Sequence, residues 1–364
     1  MKTIAKYGGR FFKLLLYPLS LLYGGMTWLR NRLYDQGLLS EIEFDLPTIA
    51  VGNLSVGGTG KTPHVEYLIG LLQSEYYVAT LSRGYNRQSK GYQFADEHAT
   101  ALTIGDEPMQ FHKKFPDIAV SVGEERALAL PQLLMDAPET EVVLLDDAFQ
   151  HRSIKPGINI MVTEYQRLFT RDYIVPFGRL RESRVGYKRA DCIIVSKCPR
   201  DLSVQEKRRL LAEIKPEPEQ VVFFTAIKYG RCYHYLTGET EDLLPDTGVV
   251  VACGIANPDP LIDTLKDRVS ELKLLRFPDH HFYREQELET MAEAVATLST
   301  PYKVVLTTEK DAARLDLFRE KIAAMGLPLV VISLKIVFLF KEKADFDQYV
   351  FDYIHDAMAE QFNT

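Results

Sequence analysis

The sequence has little of what would mark a secreted or a nucleic-acid-binding protein. Its 364 residues include four cysteines, which show neither CxxC spacing nor the density of a disulfide scaffold, so small buried thiols in a reducing compartment are expected. The formal net charge of −7 excludes the overall basic charge of a general nucleic-acid binder. No internal repeat or low-complexity tract is present. The composition is that of a globular chain long enough for two domains.

A long hydrophobic run is also missing, but the N-terminus is both apolar and basic. Leu14 to Leu29 is an apolar and aromatic run of 16 residues, shorter than the roughly 20 that span a bilayer core. It is flanked by six cations, with no acid before Asp35: Lys2, Lys6, Arg10, Lys13, Arg30 and Arg32. We predict that residues 1–45 form a membrane-associated helical segment, lying in the interface or dipping into one leaflet.

Two other interpretations apply to this segment. A secretory signal peptide would need a small-x-small cleavage site, and none follows the apolar run. A helix packed on the core of the protein is the second alternative, and the sequence leaves it open.

From Pro47 onward, short β-branched runs alternate with amphipathic stretches, which is typical of a parallel sheet flanked by helices. We predict a P-loop NTPase-like α/β domain at 46–228 and a second, smaller α/β domain at 229–364. The connection is expected in the β-rich stretch Val221–Tyr235 and the polar segment Thr237–Thr247. The predicted strands are Thr48–Val51, Tyr77–Leu81, Ile118–Val122, Val142–Leu145, Ile158–Val162, Cys192–Val195, Val249–Ala252, Val304–Thr307 and Leu329–Ile332, and two predicted helices are Pro260–Val269 and Gln286–Leu298.

The first predicted strand runs into a glycine-rich turn with the features of a phosphate-binding loop. Glycines let backbone N–H groups approach phosphates, a lysine can reach the β and γ phosphates, and a threonine hydroxyl can ligate Mg²⁺. The residues predicted to bind ATP are Ser55, Val56, Gly57, Gly58, Thr59, Gly60, Lys61 and Thr62, with Lys61 also catalytic. Ser55 departs from the strict pattern GxxxxGK[ST], which has glycine there, and Gly57 and Gly58 can supply the missing flexibility.

A second element with phosphate chemistry is the apolar strand that ends in Asp146 and Asp147. This is the form of a Walker B element, whose carboxylates hold Mg²⁺ directly or through water. A solvated strand end is the alternative, and the following Phe149-Gln150-His151-Arg152 argues against it.

Eight motifs together resemble the tetraacyldisaccharide 4′-kinase (LpxK) family in order and spacing, across nearly the whole chain. They are Gly52-Asn53 with Gly57–Pro63, Ser82-Arg83-Gly84-Tyr85, Gly105-Asp106-Glu107-Pro108, Asp146–His151, Pro176–Glu182, Gly254–Pro258, Asp279–Tyr283 and Thr307–Ala312. Two departures, Ala148 and Ala256 where the family often has glycine, affect local backbone geometry and remove no polar group.

The resemblance implies an ATP-dependent lipid kinase that phosphorylates the 4′-hydroxyl of a tetraacyldisaccharide 1-phosphate and forms lipid IVA, using ATP and Mg²⁺, at the cytoplasmic face of the bacterial inner membrane. Its partners would be this glycolipid and inner-membrane lipids, with no nucleic acid and no obligate protein. Asp106 would be the base, supported by a histidine of the Asp279-His280-His281 run, for which we favour His280. The implied metal ligands are Thr62, Glu107, Asp146 and Asp147, and the implied substrate-binding residues are Asn53, Arg83, Gln150, His151, Arg179 and Arg181.

Taken without the family, the same residues have plainer interpretations. Asp106 could be a helix N-cap before Pro108, either histidine a loop residue, and each arginine a surface ion pair. A P-loop ATPase switch or membrane assembly factor would use the same loop and carboxylates, although the NKxD motif of a GTPase is missing where Ser196-Lys197-Cys198-Pro199 follows a strand. A membrane scaffold that only binds ATP would form no phosphorylated product.

Overall fold

The computed structural model describes the backbone of residues 2–361 and the side chains of residues 16–360. Within that range the helices are α1 (Lys2–Asp35), α2 (Lys61–Leu72), α3 (Ala101–Ile104), α4 (Asp106–Lys114), α5 (Arg126–Asp136), α6 (Val204–Ile214), α7 (Asp259–Leu265), α8 (Glu285–Ala296), α9 (Glu309–Leu315), α10 (Arg319–Met325) and α11 (Lys343–Gln361). The strands are β1 (Thr48–Gly52), β2 (Val78–Ser82), β3 (Gln93–Phe94), β4 (Ala119–Val122), β5 (Val142–Asp146), β6 (Ile158–Glu164), β7 (Cys192–Ser196), β8 (Val221–His234), β9 (Thr240–Glu241), β10 (Thr247–Cys253), β11 (Glu271–Arg276), β12 (Tyr302–Thr308) and β13 (Leu329–Phe338).

The strands form one continuous sheet, in the order β11-β10-β12-β13-β8-β7-β6-β1-β5-β2-β4-β3, with β9 beside β8. Strand β1 lies between β5 and β6, parallel to both. Strand β8 is parallel to β7 at its start and antiparallel to β13 over the rest of its length. The predicted α/β fold with a mainly parallel sheet and flanking helices is confirmed. The sheet runs through both predicted α/β domains, whose boundaries stay a prediction.

Each predicted strand is present with its ends shifted by a few residues. Strand β13 is longer than predicted because, beyond a register shift between Ile332 and Leu334, it continues to pair with β8 as far as Phe338. Helix α7 is shorter than predicted, and a turn in which the Arg268 amide donates to the Leu265 carbonyl follows it. The polar segment predicted as a connection contains β9, which pairs with β8.

Helix α1 has two different faces among its described side chains. Ser20, Gly24, Thr27 and Asn31, spaced at helical intervals, are buried or half-buried, whereas Leu22, Met26 and Trp28 are 60 to 66% exposed. Over the described residues, no helix combines the length and the hydropathy that crossing a bilayer requires. The predicted cations Lys2, Lys6, Arg10 and Lys13 lie outside the described side chains.

The C-terminal helix α11 returns to the half of the sheet that contains β1. Its buried side chains Phe346, Val350 and Ile354 belong to the same core cluster as Ile49 of β1. The Tyr353 hydroxyl also accepts from the Thr48 amide at 3.0 Å. The last helix of the chain therefore completes the core under the first strand.

A buried charge cluster lies where α2, α4 and α9 meet. Glu66 and Glu309 are 6 and 7% exposed, and the Lys114 ammonium lies 2.9 Å from the first and 2.7 Å from the second. One lysine thus serves two buried carboxylates. Burial, followed by the charge of Glu309, raises the pKa of Glu66 to about 7 despite Lys114.

This raised pKa makes stability depend on pH. The folded chain binds a proton at Glu66 that the unfolded chain has released, so the contribution is complete below the ordinary value of 4.5 and is lost as the pH rises through about 7. We expect the free energy of unfolding of the wild type to lose up to about 3 kcal/mol more across this window than that of Glu66→Gln, which lacks the contribution of this carboxyl. Chemical denaturation at about pH 5 and about pH 8 measures the difference.

The exposed Glu75, in the turn that follows the same helix, provides the control, because Glu75→Gln removes a solvated carboxylate and should leave the pH dependence as in the wild type. If the free energies of unfolding of the wild type and Glu66→Gln changed with pH by the same amount, the assignment of a raised pKa to Glu66 would be wrong.

Candidate active site

The glycine-rich turn between β1 and α2 is held in a fixed shape. Gly57 and Gly60 have φ values of 101° and 93°, in the left-handed region that favours glycine. Gly52 lies so close to the carboxylate-bearing loop that an added Cβ would be 2.5 Å from the Cβ of Phe149. The Ser196 hydroxyl donates to the Thr59 carbonyl at 2.5 Å. The turn is therefore pre-shaped. Its Val56 and Thr59 amides donate to the Arg179 and Gly57 carbonyls, and the other amides of the turn can donate to an anion.

His64, in the first turn of α2, holds this loop through two hydrogen bonds of its imidazole ring. Its Nδ1 donates to the Gly60 carbonyl at 2.6 Å, so its Nε2 accepts from the Thr225 hydroxyl at 3.0 Å. Burial lowers the pKa of His64 to about 4, which keeps the ring neutral as these two contacts require.

Two adjacent carboxylates, Asp146 at the end of β5 and Asp147 directly after it, lie in different environments. Burial would raise the pKa of Asp147, but Lys61 at 3.4 Å and Arg181 at 3.0 Å outweigh it and lower the pKa to about 2. Asp146 is 2% exposed, and burial, Glu107 and Asp147 raise its pKa to about 7. Lys61 is thus held by a carboxylate with which a bound phosphate would compete.

The four predicted metal ligands are hard oxygen donors, the kind that Mg²⁺ prefers. Thr62 Oγ1 donates to Glu107 at 3.1 Å, which joins the start of α2 to the start of α4. Asp146 Oδ1 is buried without a hydrogen-bond partner, as expected for an atom that awaits a metal or its water. Among the described residues, no three or more His, Cys, Asp or Glu side chains form a ready cage. The residues suit Mg²⁺, which usually keeps several waters and takes few protein ligands.

Asp106, at the start of α4, meets His280 from the other half of the sheet. His280 Nδ1 donates to Asp106 Oδ2 at 2.9 Å. Because the Lys310 ammonium has no lone pair, it donates to His280 Nε2 at 3.2 Å, and this fixes the histidine as the neutral Nδ1–H tautomer. His281 faces away and contacts Glu287 at 2.9 Å.

The charges around Asp106 keep it ionised. Burial would raise its pKa, but the hydrogen bond from His280 and the charges of Lys310 and Arg314 lower it. The fully buried Arg314 lies 3.9 Å from Asp106 Oδ2. Arg314 also donates to Asp311 at 2.6 Å and to the Gly254 carbonyl at 3.1 Å, and that carbonyl accepts from the His280 amide. The arrangement presents a buried, anionic, oriented carboxylate, which can act as a proton acceptor.

The residues predicted to bind substrate lie around this centre at different depths. Gln150 accepts from Arg181 at 3.1 Å and donates to the Asn53 carbonyl at 2.8 Å, whereas the buried Asn53 side chain donates to Thr59 at 2.7 Å. Burial, followed by the charges of Arg126 and Arg83, lowers the pKa of His151 to about 4.

Arg83 and Arg179 are exposed. Arg179 lines a small cavity against the phosphate loop, together with Ser55, Gly57 and Arg167. Arg83 follows β2 and Arg179 lies in the loop before Leu180, so neither side chain is packed in the hydrophobic core.

Sequence reasoning missed Lys310, Arg314, His64 and Ser196. Lys310 lies in a motif that the resemblance used, and Ser196 stands at the end of a predicted strand, so both had a positional signal. Arg314 and His64 had none, because a single charged or aromatic polar residue in a helix is usually solvated or packed.

A strand, glycine turn and helix with a lysine at its start, beside the carboxylates at the end of a neighbouring strand, define a P-loop nucleotide-binding enzyme. Asp106 and His280 form a hydrogen-bonded carboxylate–imidazole pair next to Glu107, which accepts from Thr62 of the phosphate loop.

Comparison with known proteins identifies the family. The family model described as tetraacyldisaccharide-1-P 4′-kinase matches residues 12–355, and the chain belongs to this family. It is 40% identical to the tetraacyldisaccharide 4′-kinase of Bacteroides thetaiotaomicron, over 94% of this chain and 93% of that protein. It is also 40% identical to that of Flavobacterium johnsoniae, over 94% and 97%. The crystal structure of LpxK from Aquifex aeolicus in complex with ATP is similar at a TM-score of 0.73 and 28% identity, covering 94% of this chain and 99% of that one.

Lys61 offers a direct test of the nucleotide site. We expect Lys61→Met to weaken Mg·ATP binding at least about tenfold, because an ammonium that contacts phosphates contributes more than 1.4 kcal/mol. Titration calorimetry measures the affinity. Lys155→Met, which removes an exposed ammonium paired with Glu43, is the control and should bind ATP as the wild type does. Equal affinities for the two variants would overturn the assignment.

Proposed function

We propose that this chain transfers the γ-phosphate of ATP to the 4′-hydroxyl of a tetraacyldisaccharide 1-phosphate, forming lipid IVA, with Asp106 as the base. Membership of the tetraacyldisaccharide 4′-kinase family supports the reaction. One contact carries the choice of base: Thr62 Oγ1 donates to Glu107, the neighbour of Asp106, at 3.1 Å. It joins the phosphate loop to the helix that carries the proposed proton acceptor.

The nucleotide binds through the residues from Ser55 to Thr62. Backbone amides of the glycine turn donate to phosphate oxygens, and Lys61 turns from Asp147 toward the β and γ phosphates. As Lys61 leaves, Arg181 remains 3.0 Å from Asp147 and keeps that carboxylate ionised. ATP binding thus exchanges one partner of Lys61 for another and leaves Asp147 paired with Arg181.

Asp106 takes the proton of the acceptor hydroxyl as the hydroxyl oxygen bonds to the γ phosphorus. The bond from that phosphorus to the β–γ bridging oxygen breaks, and ADP leaves with the electron pair. His280 holds the carboxylate through Nδ1, and Lys310 holds His280 through Nε2, so the oxygen that receives the proton is oriented before the acceptor arrives. Asp106 is 4% exposed, which limits competition from water for the same proton.

Mg²⁺, when bound, neutralises charge on the phosphate oxygens. Thr62, Glu107, Asp146 and Asp147 would hold it, directly or through its water shell. The acceptor is bound by Asn53, Arg83, Gln150, His151, Arg179 and Arg181, and the arginines suit its existing phosphate.

We further infer attachment to the cytoplasmic face of the inner membrane through α1. Its outward apolar side chains Leu22, Met26 and Trp28, followed by Arg30 and Arg32, suit the boundary between acyl chains and anionic headgroups. An acceptor with four acyl chains is itself held at such a surface, so this attachment brings enzyme and substrate together.

The base assignment is tested with purified protein, labelled ATP and a Gram-negative lipid extract. Wild type should label a glycolipid, and Asp106→Asn should lower kcat by about 10² to 10⁴, the usual contribution of a general base. His280→Ala should lower kcat less, because it removes only the support. His281→Ala is the matched control and should stay near wild type, since His281 contacts Glu287.

Two results would count against the proposal. Turnover by folded Asp106→Asn within a few fold of wild type would exclude Asp106 as the base. Release of free phosphate by the wild type, with no labelled lipid, would favour a P-loop ATPase switch or assembly factor.

Membrane attachment has a separate test in vesicles of phosphatidylethanolamine and phosphatidylglycerol. We expect the double variant Leu22→Glu/Met26→Glu to lose most of its flotation with these vesicles, since each buried charge opposes apolar transfer by more than about 2 kcal/mol. Met135→Glu changes an equally apolar side chain, 81% exposed on α5, and should float as the wild type does. Unchanged flotation of the double variant would disprove the role of α1.

A further inference from the structure

The segment of residues 172–182 lies between α1 and the phosphate loop and touches both. On the α1 side, the Phe177 amide donates to the Ser20 hydroxyl at 2.8 Å, and the ring of Tyr17 meets that of Phe177 edge-on at 5.4 Å. Gly24 packs so closely on Ile174 that an added Cβ would be 3.0 Å from its Cδ1. The small and polar face of α1 is thus the face that docks on this segment.

The same segment forms strand-like backbone contacts with the phosphate loop. The Val56 amide donates to the Arg179 carbonyl at 2.8 Å, and the Arg181 amide donates to the Leu54 carbonyl at 2.7 Å. Backbone hydrogen bonds on both sides of Ser55 leave the loop little freedom to move independently of residues 179–181.

A chain of side-chain hydrogen bonds runs beside these contacts from α1 to the phosphate-binding lysine. Asn31 donates to Glu182, which also accepts from Gln150 at 3.1 Å. Gln150 accepts from Arg181 at 3.1 Å, and Arg181 holds Asp147 at 3.0 Å. The chain is completed at Lys61, 3.4 Å from Asp147.

We propose that Asn31 is a positioning residue for the nucleotide site, and that residues 172–182 couple the docking of α1 to the positions of Asp147 and Lys61. The consequence is that the kinase centre is correctly arranged only when α1 is docked, and this consequence rests on the proposed function. The coupling itself concerns ATP binding and is independent of the acceptor.

The burial of Glu182 is the reason that Asn31 matters. The Glu182 carboxylate is fully buried, and its donors are Asn31, Gln150 and Arg189. A buried carboxylate that loses one donor turns toward those that remain or admits water, because an unsatisfied charged oxygen is costly. Either response moves Gln150, and with it the arginine that holds Asp147.

The test compares Asn31→Ala with Asp35→Asn in the full chain. Both residues anchor α1, but Asp35 pairs with Arg152 at 2.7 Å and is not a member of the chain to Lys61. We expect Asn31→Ala to weaken Mg·ATP binding about threefold and to lower kcat about five- to tenfold, and Asp35→Asn to stay within about twofold in both. Alanine is a strong helix former, so Asn31→Ala keeps α1 intact, and circular dichroism checks this.

A double-mutant cycle with Gln150→Ala separates coupling from simple loss of docking. Because Gln150→Ala already breaks the chain, Asn31→Ala should add nothing further in that background, for ATP affinity and for kcat. If the effects of Asn31→Ala and Gln150→Ala on ATP affinity and kcat multiplied in the double variant, the proposal would be overturned. The same holds if Asn31→Ala and Asp35→Asn lost equal amounts of ATP affinity and kcat, or if Asn31→Ala bound ATP as tightly as the wild type.

Failure of the proposed function has a different signature. In that case the wild type phosphorylates no glycolipid, while the cycle in Mg·ATP affinity still decides whether Asn31 is coupled to the nucleotide site.

Discussion

Strand β8 is the constraint on which the site depends, because it belongs to both halves of the sheet. Its first residues pair with β7, in the half of the sheet that carries the phosphate loop and the carboxylates, and its later residues pair with β13. The shared strand fixes one half relative to the other. Asp106 on α4 can therefore meet His280 at hydrogen-bond distance and lie 3.9 Å from the Lys310 ammonium, although both partners come from the far half. His64 adds a direct contact from the phosphate-loop helix to Thr225 of β8.

The centre is a dense set of opposite charges, and this explains why it is stable without a bound anion. Lys61 and Arg181 compensate Asp147, and Lys310 compensates Glu107 at 3.1 Å. Asp146 remains without a cation of its own, and its pKa is accordingly raised to about 7 by burial and by Glu107 and Asp147. The charges of these side chains are balanced except at Asp146, whose Oδ1 has no hydrogen-bond partner and suits a metal.

The sequence predicted the elements that depend on local patterns. Short apolar runs identified the strands, and the order of strand, glycine turn, lysine and helix identified the phosphate loop, because both signals lie within a few residues. The meeting of Asp106 with His280 came only from family resemblance, since 174 residues separate them in the chain. Arg314 was not predicted because its importance comes from being buried next to Asp106. The spacing of residues in the sequence does not show that a single arginine is buried. The course of α11 was missed for a related reason, since its apolar residues indicate a buried face and not the partner that buries it.

That course of α11 bears on what supports the nucleotide site. Phe346, Val350 and Ile354 fill the core beneath β1, and Gly157 leaves room for the Tyr353 hydroxyl, which an added Cβ would approach to 1.8 Å. Residues 343–361 thus support the strand that leads into the phosphate loop, although almost the whole of the described chain separates the two. Loosening α11 therefore weakens the nucleotide site from a distance, without any change to a residue of the loop itself.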